Sequence, residues 1–281
     1  MRIIFLGTPA FSVNSLDALV KSKHTVVAVV TQPDKPTERG NKIEFSAVKK
    51  YALANDIPLF QFPKISRDGV VDLKALEPDV MITAAYGQIL SQEVLDIPRL
   101  GTINVHASLL PKYRGASPIQ TAIINGDAET GVTIMKTEIG LDTGDIIDYV
   151  STPIFEEETA GELSERLADL GSKLLLDVLD KLEQGTANLT QQEHINATVT
   201  SKISKIMSQW SIKLLDINGP DWAIYTYEMD LKYLIHFNVD FYDLEIRIKL
   251  EDLKLNVIHH IESLRDETTY RDNLINIVFF E

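Results

Sequence analysis

The amino-acid sequence predicts an α/β protein in which a doubly wound, mostly parallel sheet is followed by a smaller β-rich domain. Short and almost wholly apolar runs occupy residues 2–6, 25–30 and 79–84. Such runs are typical of strands that are buried on both faces, as in a parallel sheet. Helical patterns lie between these runs, and the alternation up to about residue 183 predicts a doubly wound domain.

The remaining elements of the first domain follow in chain order. Pro9 suits the first position of a helix that continues through Leu16 and Leu19. Ser46 is a good N-cap for a helix over 46–55. The later elements are a short helix at 91–95, a strand from residue 102, a helix over 119–124, strand-like segments at 131–136 and 146–150, and a long amphipathic helix over 159–183.

The last third of the chain has a different pattern. Leu244, Ile246, Ile248 and Leu250 alternate with charged residues, which predicts a half-buried strand. We therefore expect three parts: a first domain over 1–183, a connecting segment over 184–205, and a small β-rich C-terminal domain over 206–281.

The composition limits the possible classes of function. Of 281 residues, 44% are hydrophobic and 24% are charged, as in ordinary globular proteins. No apolar run approaches the roughly 20 residues of a membrane span, and the N-terminus is not typical of a signal peptide. The absence of cysteine excludes disulfides and thiolate chemistry. We expect a cytoplasmic monomer, and the net charge of −14 disfavours broad nucleic-acid binding, although a local basic loop could hold such a substrate.

Asn104 and His106 are the first candidate functional residues. They stand two residues apart near the end of a predicted strand, so their side chains point to the same face. The chain then leaves the sheet as a loop that contains Pro111 and Gly115. A carboxamide and an imidazole at a strand end make this a candidate site for chemistry.

Asp142 is the candidate partner from a distant loop. It lies in the run Gly-Leu-Asp-Thr-Gly-Asp at 140–145, a tight loop between two predicted strands. Because ligands bind at the carboxyl edge of parallel sheets, we expect this loop to meet Asn104 and His106 there. Asp145 is the rival carboxylate, whose alternative role is to satisfy the turn. On spacing alone, a purely structural His106 is an equally good interpretation.

Nucleotide and metal sites have little support. The turn Gly7-Thr8-Pro9 does not match the GxGxxG pattern. None of the six histidines forms a pair with the spacing of metal ligands, so we predict no metal.

Longer motifs carry a family resemblance. They are MRIIFLGTPAF, TQPDKP with the following RGNK, NVHASLLPKYRGASPIQ, GVTIMKTEIGLDTGDII and ATVTSKISK. With these motifs, residues 1 to about 205 resemble the methionyl-tRNA formyltransferases, members of the 10-formyltetrahydrofolate-dependent formyltransferase family. The resemblance implies a Rossmann-like catalytic domain, 10-formyltetrahydrofolate as the formyl donor, and the amino group of initiator methionyl-tRNA as the acceptor for translation initiation.

The resemblance also implies roles for individual residues. The family's catalytic residues fall on Asn104, His106 and Asp142. Its folate contacts fall on Ser108, Leu109, Leu110 and Pro111, with further contacts expected at Tyr86, Gly87, Gln88, Ile89 and Leu90. The loop at 32–42 would enter the acceptor arm of tRNA, where Lys35, Arg39 and Lys42 could contact phosphates. On charge alone, a solvated loop is the better interpretation of this segment.

The expected chemistry is attack of an amine on a carbonyl carbon through a tetrahedral oxyanion. The Asn104 amide can donate to that oxyanion, and so can a protonated His106 or its Nε2–H group. One such donor is typically worth about 10²–10³ in rate. Asp142 can orient His106 and help to move the proton that the amine loses. The loop at 108–111 is expected to read the polar edge of the pteridine with main-chain groups and to supply apolar walls.

The resemblance weakens beyond residue 205. The family continues into an OB-like barrel that helps to hold tRNA, whereas here only 210–211 and 219–223 are recognisable as remnants. Residues 205–281 carry fourteen acidic and eight basic side chains, and an acidic domain is a poor phosphate clamp. Two alternatives therefore stay open: a formyltransferase that acts on an amino sugar nucleotide, and a non-catalytic folate-binding or interaction protein.

Overall fold

The computed structural model describes residues 1–36, 43–203, 222–229, 233–240, 243–249 and 274–280. The chain divides into two compact units, Met1–Ile203 and Ser204–Glu281, and each is described by itself. Arg39 and Lys42, two of the three expected tRNA contacts, lie outside the described residues. Within the described parts, no helix is long and apolar enough to cross a membrane.

The first unit alternates strands with helices. Its first half comprises β1 (Arg2–Gly7), α1 (Phe11–Lys21), β2 (Thr25–Val30), β3 (Lys35–Pro36), β4 (Ile43–Glu44), α2 (Ala47–Ala54), β5 (Leu59–Phe60), α3 (Ile65–Asp68), α4 (Val70–Ala75) and β6 (Val80–Ala84). Its second half comprises α5 (Gln92–Leu95), β7 (Thr102–His106), β8 (Arg114–Gly115), α6 (Pro118–Ile124), β9 (Glu129–Lys136), β10 (Ile146–Pro153), α7 (Ala160–Glu183), a 3₁₀ helix (His194–Asn196) and β11 (Val199–Thr200).

Side-chain N-caps mark the starts of helices α2 and α7. The Ser46 hydroxyl accepts a hydrogen bond from the Lys49 amide at the start of α2, at 3.0 Å. Thr159 and Glu162 form a reciprocal capping box at the start of α7. Both helices therefore begin where the sequence predicts.

The start of α1 differs from the prediction. The helix begins at Phe11, and Pro9 lies in the turn before it. The Pro9 carbonyl accepts a hydrogen bond from the Ser12 amide at 3.1 Å, which closes that turn. Pro9 is therefore a turn residue and not the first residue of the helix.

The seven-stranded sheet of the first unit has the order β10-β9-β7-β6-β1-β2-β5. The five strands from β7 to β5 are parallel to one another. β9 runs antiparallel to β7, and β10 runs antiparallel to β9. The predicted doubly wound, mostly parallel sheet is confirmed.

Helices cover both faces of this sheet. On one face, α1, α2, α6 and α7 pack over a cluster that includes Phe5, Val105 and Leu167. On the other face, α3, α4 and α5 pack over a cluster that includes Ile4 and Leu73. Neighbouring residues of β1 enter opposite clusters because successive strand side chains point to opposite faces.

The long helix α7 approaches the sheet closely at Gly171. A Cβ atom added there would lie 3.1 Å from methyl groups of Val105 in β7 and of Val132 in β9. Leu167 and Leu175, one helical turn away on either side, are fully buried. The helix therefore packs directly against the strand that carries Asn104 and His106.

The described strands of the second unit form one sheet. They are β12 (Trp222–Met229), β13 (Tyr233–Asp240), β14 (Asp243–Lys249) and β15 (Leu274–Phe280), in that order across the sheet. β14 and β15 are parallel, and the other pairs are antiparallel. β14 coincides with the alternating segment that the sequence predicts as a strand. An OB-like closure stays a prediction, and the remnants at 210–211 and 219–221 lie outside the described residues.

Candidate active site

Asn104 and His106 lie at the carboxyl end of β7, and both contact Asp142. The Asn104 Nδ2 atom donates to Asp142 Oδ1 at 3.4 Å. His106 Nδ1 lies 3.7 Å from Asp142 Oδ2. The His106 side chain is 6% exposed and that of Asp142 is 18% exposed, so this cluster is partly shielded from solvent. We call Asn104, His106 and Asp142 the candidate trio.

A neighbouring strand fixes the orientation of the Asn104 amide. The Thr83 hydroxyl, near the end of β6, donates to Asn104 Oδ1 at 2.9 Å. Because the amide oxygen is the acceptor in this bond, the NH₂ group must face away from Thr83 and towards the loop of Asp142. Sequence reasoning missed Thr83, although a polar residue near the end of an apolar strand is a usable signal.

The predicted reason why the loop of Asp142 lies close to His106 is wrong. It assumed that the carboxyl ends of parallel strands bring the two loops together, but β9 is antiparallel to β7. Lys136, at the end of β9, pairs with Ile103, near the start of β7. The loop that follows must therefore turn back along β7 before Asp142 can reach the end of that strand.

The loop at 137–145 has the backbone of a tight reversal. Gly140 and Asp142 both have positive φ angles, of 150° and 50°. A Cβ atom on Gly144 would lie 1.9 Å from the Lys136 carbonyl oxygen, so only glycine fits there. Asp142 Oδ2 accepts a hydrogen bond from the Gly115 amide at 2.7 Å. Asp142, and not the rival Asp145, is the carboxylate that faces His106.

The structure disagrees with one expected role of His106, in which its Nε2–H group donates to the oxyanion. His106 Nε2 lies 2.9 Å from the carbonyl oxygen of Tyr113. Since a carbonyl can only accept, Nε2 carries the proton and donates it to Tyr113. The Nε2–H group is therefore engaged within the protein, and Nδ1 is the ring nitrogen that faces Asp142.

A second group that sequence reasoning missed is Gln192, in the predicted connecting segment. Gln192 donates from Nε2 to the carbonyl oxygens of Asp142 and Gly144, at 3.0 and 2.7 Å. Its Oε1 atom accepts from the Arg114 guanidinium. Nearby, β11 pairs in parallel with β8, and Thr190 bridges to Ile146, so residues 190–200 are part of the first unit. No local sequence signal distinguishes Gln192 from its neighbours.

The expected folate loop at 108–111 is built around Thr133 of β9. The Thr133 hydroxyl donates to the Ser108 carbonyl at 2.7 Å and accepts from the Leu110 amide at 3.1 Å. The Leu109 carbonyl accepts from the Lys112 amide at 3.1 Å. Several main-chain groups that were expected to read a pteridine therefore stabilise the loop itself.

The other expected folate loop, at 86–90, follows the adjacent parallel strand β6. The Tyr86 carbonyl accepts from the Thr8 hydroxyl at 2.9 Å and from Gln32 Nε2 at 3.1 Å. Gln88 donates to the Phe62 carbonyl at 2.9 Å. Gly87 has φ 87°, which favours glycine. Leu90 is buried in the core, and this loop lies at the same sheet edge as the loop at 108–111.

Two side chains of the loop at 86–90 have contrasting environments. Tyr86 is 4% exposed, and burial raises the pKa of its hydroxyl to about 12. That hydroxyl has no hydrogen-bond partner among the residues the structure describes. Ile89, in contrast, is 91% exposed and presents an apolar side chain to solvent.

An ion pair between Asp34 and Lys49 stabilises the base of the expected tRNA loop at 32–42. Lys49 of α2 binds the Asp34 carboxylate and donates to Gln61 Oε1 at 2.9 Å. The hydrogen bond from Lys49, followed by that from Gln61, lowers the pKa of Asp34 below its usual range. Lys35 is exposed in β3, opposite Glu44 of β4. These contacts order the start of the loop.

The sequence model of the formyl transferase family matches residues 1–179. This match covers well over half of the chain, so the chain belongs to the formyl transferase family. The fold is therefore that of a family of group-transfer enzymes.

Within this family, the chain is similar to methionyl-tRNA formyltransferases. It is 44% identical to the one from Legionella pneumophila (strain Corby) over 84% of this chain and 78% of the relative. It is 47% identical to the one from Acetivibrio thermocellus over 78% of this chain and 71% of the relative.

A solved structure shows the same fold. The N-formyltransferase from Helicobacter canadensis, in complex with folinic acid and dTDP-3-aminofucose, has a TM-score of 0.56 at 21% identity. The match covers 85% of this chain and 96% of that one. At this identity, the likeness concerns the fold alone.

Proposed function

We propose that this chain transfers the formyl group of 10-formyltetrahydrofolate to the amino group of initiator methionyl-tRNA, in the cytoplasm. The candidate trio carries the formyl-transfer part of the proposal. The sequence identity of 44–50% to methionyl-tRNA formyltransferases supports methionyl-tRNA as the acceptor. Formyl transfer is assigned to residues 1–183, with 184–205 as the connecting segment and 206–281 as a separate small domain.

Asn104 is proposed as the oxyanion donor. Its amide oxygen is taken by Thr83, so its NH₂ group is directed to the side where Asp142 lies. The bond from this NH₂ group to Asp142 is long, at 3.4 Å, and can yield to a stronger acceptor. A donor that is already oriented costs no reorganisation when negative charge develops on the formyl oxygen.

His106 and Asp142 are proposed to handle the proton that the amine loses. With Nε2–H fixed on the Tyr113 carbonyl, the neutral ring has its lone pair on Nδ1. Nδ1 can accept the proton, and the Asp142 carboxylate at 3.7 Å stabilises the imidazolium that results. The proton can then leave from the same nitrogen to the departing amine of the donor.

The loops at 86–90 and 108–111 are proposed to hold the formyl donor, which supplies the formyl group. The two loops leave adjacent parallel strands at the same edge. Ile89 and the partly exposed Leu109 offer apolar contact, and the internal hydrogen bonds of Thr133 and Gln88 hold the loops in shape. The proposed contacts are thus mainly apolar for 108–111 and mixed for 86–90.

The acceptor is proposed to reach the site beside the loop at 32–42. Lys35, Arg39 and Lys42 would contact tRNA phosphates, and the Asp34–Lys49 pair would hold the base of this loop. With only three basic side chains proposed to contact phosphates, tRNA binding should depend only modestly on salt, because the slope scales with the number of phosphates neutralised.

The test is a competition between acceptors. The purified full chain is incubated with 10-formyltetrahydrofolate, initiator methionyl-tRNA and a dTDP-linked amino sugar, and each product is measured by mass spectrometry. Formyl-methionine on tRNA is the expected product, and N-acetylmethionyl-tRNA, which has no free amine, is the matched control. Formylation of the sugar alone would refute the proposed acceptor and leave the formyl chemistry in place.

A further inference from the structure

We propose that Gln192 is a positioning residue for formyl transfer, because its side-chain amide holds the loop at 137–145 over the end of β7. The inference rests on the proposed function, since this loop carries Asp142. Gln192 itself contacts neither Asn104 nor His106 and acts through the backbone of the loop.

Both protons of the Gln192 amide are used on this loop. Nε2 donates to the Asp142 carbonyl at 3.0 Å and to the Gly144 carbonyl at 2.7 Å. The two carbonyls stand on either side of Thr143, so one side chain bridges the segment that sets the position of Asp142. Gln192 is 4% exposed, so water does not compete effectively for these bonds.

Arg114 determines which end of the Gln192 amide faces the loop. Its Nε and Nη2 atoms donate to Gln192 Oε1 at 3.1 and 2.6 Å. A guanidinium only donates, so it selects the amide oxygen and leaves the NH₂ group for the loop carbonyls. Arg114 is 7% exposed, and its Nη2 atom also lies 3.0 Å from His194 Nδ1.

The backbone of Gly115 in β8 and of Tyr113, just before this strand, contributes to the same arrangement. The Gly115 amide donates to the Asp142 carboxylate at 2.7 Å. The Tyr113 carbonyl accepts from His106. Tyr113 therefore binds His106, Gly115 binds Asp142, and Arg114, which lies between them, acts on Asp142 through Gln192.

The sheet holds the ends of this loop, where the Lys136 amide donates to the Asp145 carbonyl at 2.9 Å and the Thr137 amide donates to the Thr102 carbonyl at 2.7 Å, and the segment around Asp142 lies beyond these bonds. β9 ends beside the start of β7, so the loop reverses direction to bring Asp142 to His106. Asp142 has φ 50°, a left-handed conformation that carries some cost for any non-glycine residue, although aspartate adopts it more readily than most. Loss of the Gln192 bonds is expected to change the separation of Asp142 and His106 without removing a substrate contact.

Three variants test the role. Gln192→Ala removes both ends of the amide. Gln192→Glu keeps an acceptor for Arg114 but places an oxygen against the two loop carbonyls. Gln191→Ala is the matched control, because Gln191 is the exposed neighbour of the same type.

We expect kcat to fall about tenfold or more in both Gln192 variants, since small misplacements of reacting groups have effects of that size. The KM values for both substrates should stay within about twofold of wild type, because neither substrate contact changes. Gln192→Glu should keep the unfolding midpoint of wild type, since Arg114 gains a carboxylate. If Gln192 only stabilised the fold, kcat would fall only in variants that lower the unfolding midpoint. Gln192→Glu, with the midpoint of wild type, would then keep nearly full activity.

Hydrogen exchange measured by mass spectrometry supplies a readout besides activity. Amides of residues 137–145 should exchange about fivefold to tenfold faster in both Gln192 variants, as expected for the loss of one net hydrogen bond. The rest of the chain and the Gln191→Ala control should be unchanged. Unchanged exchange in 137–145, or a wild-type kcat in Gln192→Glu, would overturn the inference. A wild-type chain that does not formylate methionyl-tRNA would refute the proposed function instead, and the exchange measurement would still decide the role of Gln192.

Discussion

Two polar clusters lie on the loops and strand ends of the same sheet, and they differ in how completely their groups are paired. One is the candidate trio. The other, the loop-stem cluster, comprises Gln32, Asp34, Lys49, Gln61 and Gln88. Both contain amides and charged groups, so residue types alone do not separate them.

The loop-stem cluster is closely paired. Lys49 binds Asp34 and Gln61, and Gln61 donates to Asp34 at 3.0 Å and to the Gln32 carbonyl at 2.8 Å. One contact of the loop-stem cluster is long, from Gln88 Nε2 to Gln32 Oε1 at 3.4 Å, whereas both contacts within the candidate trio are long, at 3.4 and 3.7 Å. Groups whose hydrogen bonds are satisfied stabilise structure, whereas long contacts leave donors and acceptors available to a substrate. The variants below test this difference, from the largest expected effect to the smallest.

The largest effect is expected for His106→Ala. Loss of the proton acceptor should lower kcat about 10³-fold or more, since positioned acid–base groups contribute roughly 10²–10⁴. The rate is measured with saturating donor and methionyl-tRNA, and circular dichroism checks that the fold is retained. Added imidazole should restore part of the rate. Near-normal activity in this variant would remove His106 from the mechanism.

Asn104→Ala should lower kcat about 10²–10³-fold, which is the usual effect of removing one oxyanion donor. KM should change little, because the donor acts on charge that develops in the transition state. Steady-state kinetics with both substrates separates the two parameters. A rise in KM at constant kcat would show instead that Asn104 only binds substrate.

Thr83→Val tests whether orientation of Asn104 matters. The change keeps the shape of the side chain but removes the hydroxyl that holds Asn104 Oδ1. We expect kcat to fall about fivefold to tenfold, in line with the loss of one net hydrogen bond. Thr83→Ser keeps the hydroxyl and is the matched control. Equal activity of the two variants would contradict the orienting role.

Lys49→Met, in the loop-stem cluster, should lower stability and, because Lys49 holds the base of the proposed tRNA loop, raise the KM for methionyl-tRNA, while kcat at saturating substrate is unchanged. In the folded state the pKa of Asp34 is lowered, mainly by Lys49, so this pair stabilises the fold above the unfolded pKa of 3.8. That contribution is lost as pH falls through the lower folded value. The difference in unfolding midpoint between wild type and Lys49→Met should therefore shrink between pH 7 and pH 3. A constant difference over this range would show that the ion pair is not its source.

Sequence patterns predicted the features that depend on local interactions. Ser46 and Thr159 mark helix starts because capping involves residues three apart. The spacing of Asn104 and His106 places them on one face because strand geometry is local. The roles of the trio were then implied by the family motifs and stay predictions.

Features set by tertiary pairing could not be predicted. The residues of β9 are equally suitable for a parallel or an antiparallel strand, so its direction, and the reversal of the loop that carries Asp142, were missed. Gln192 lies 50 residues from Asp142 in the chain and has no local pattern. The same is true of the hydrogen bond from His106 Nε2 to the carbonyl of Tyr113, a residue with a positive φ angle.

The most direct test of the central claim is the single-turnover rate of formyl transfer by Asp142→Ala, at saturating donor and methionyl-tRNA. If the trio carries the chemistry, the rate falls about 10³-fold or more while the unfolding midpoint stays within a few degrees of wild type. A rate within about tenfold of wild type would contradict the claim, because that loss is no larger than the loss of a positioning contact.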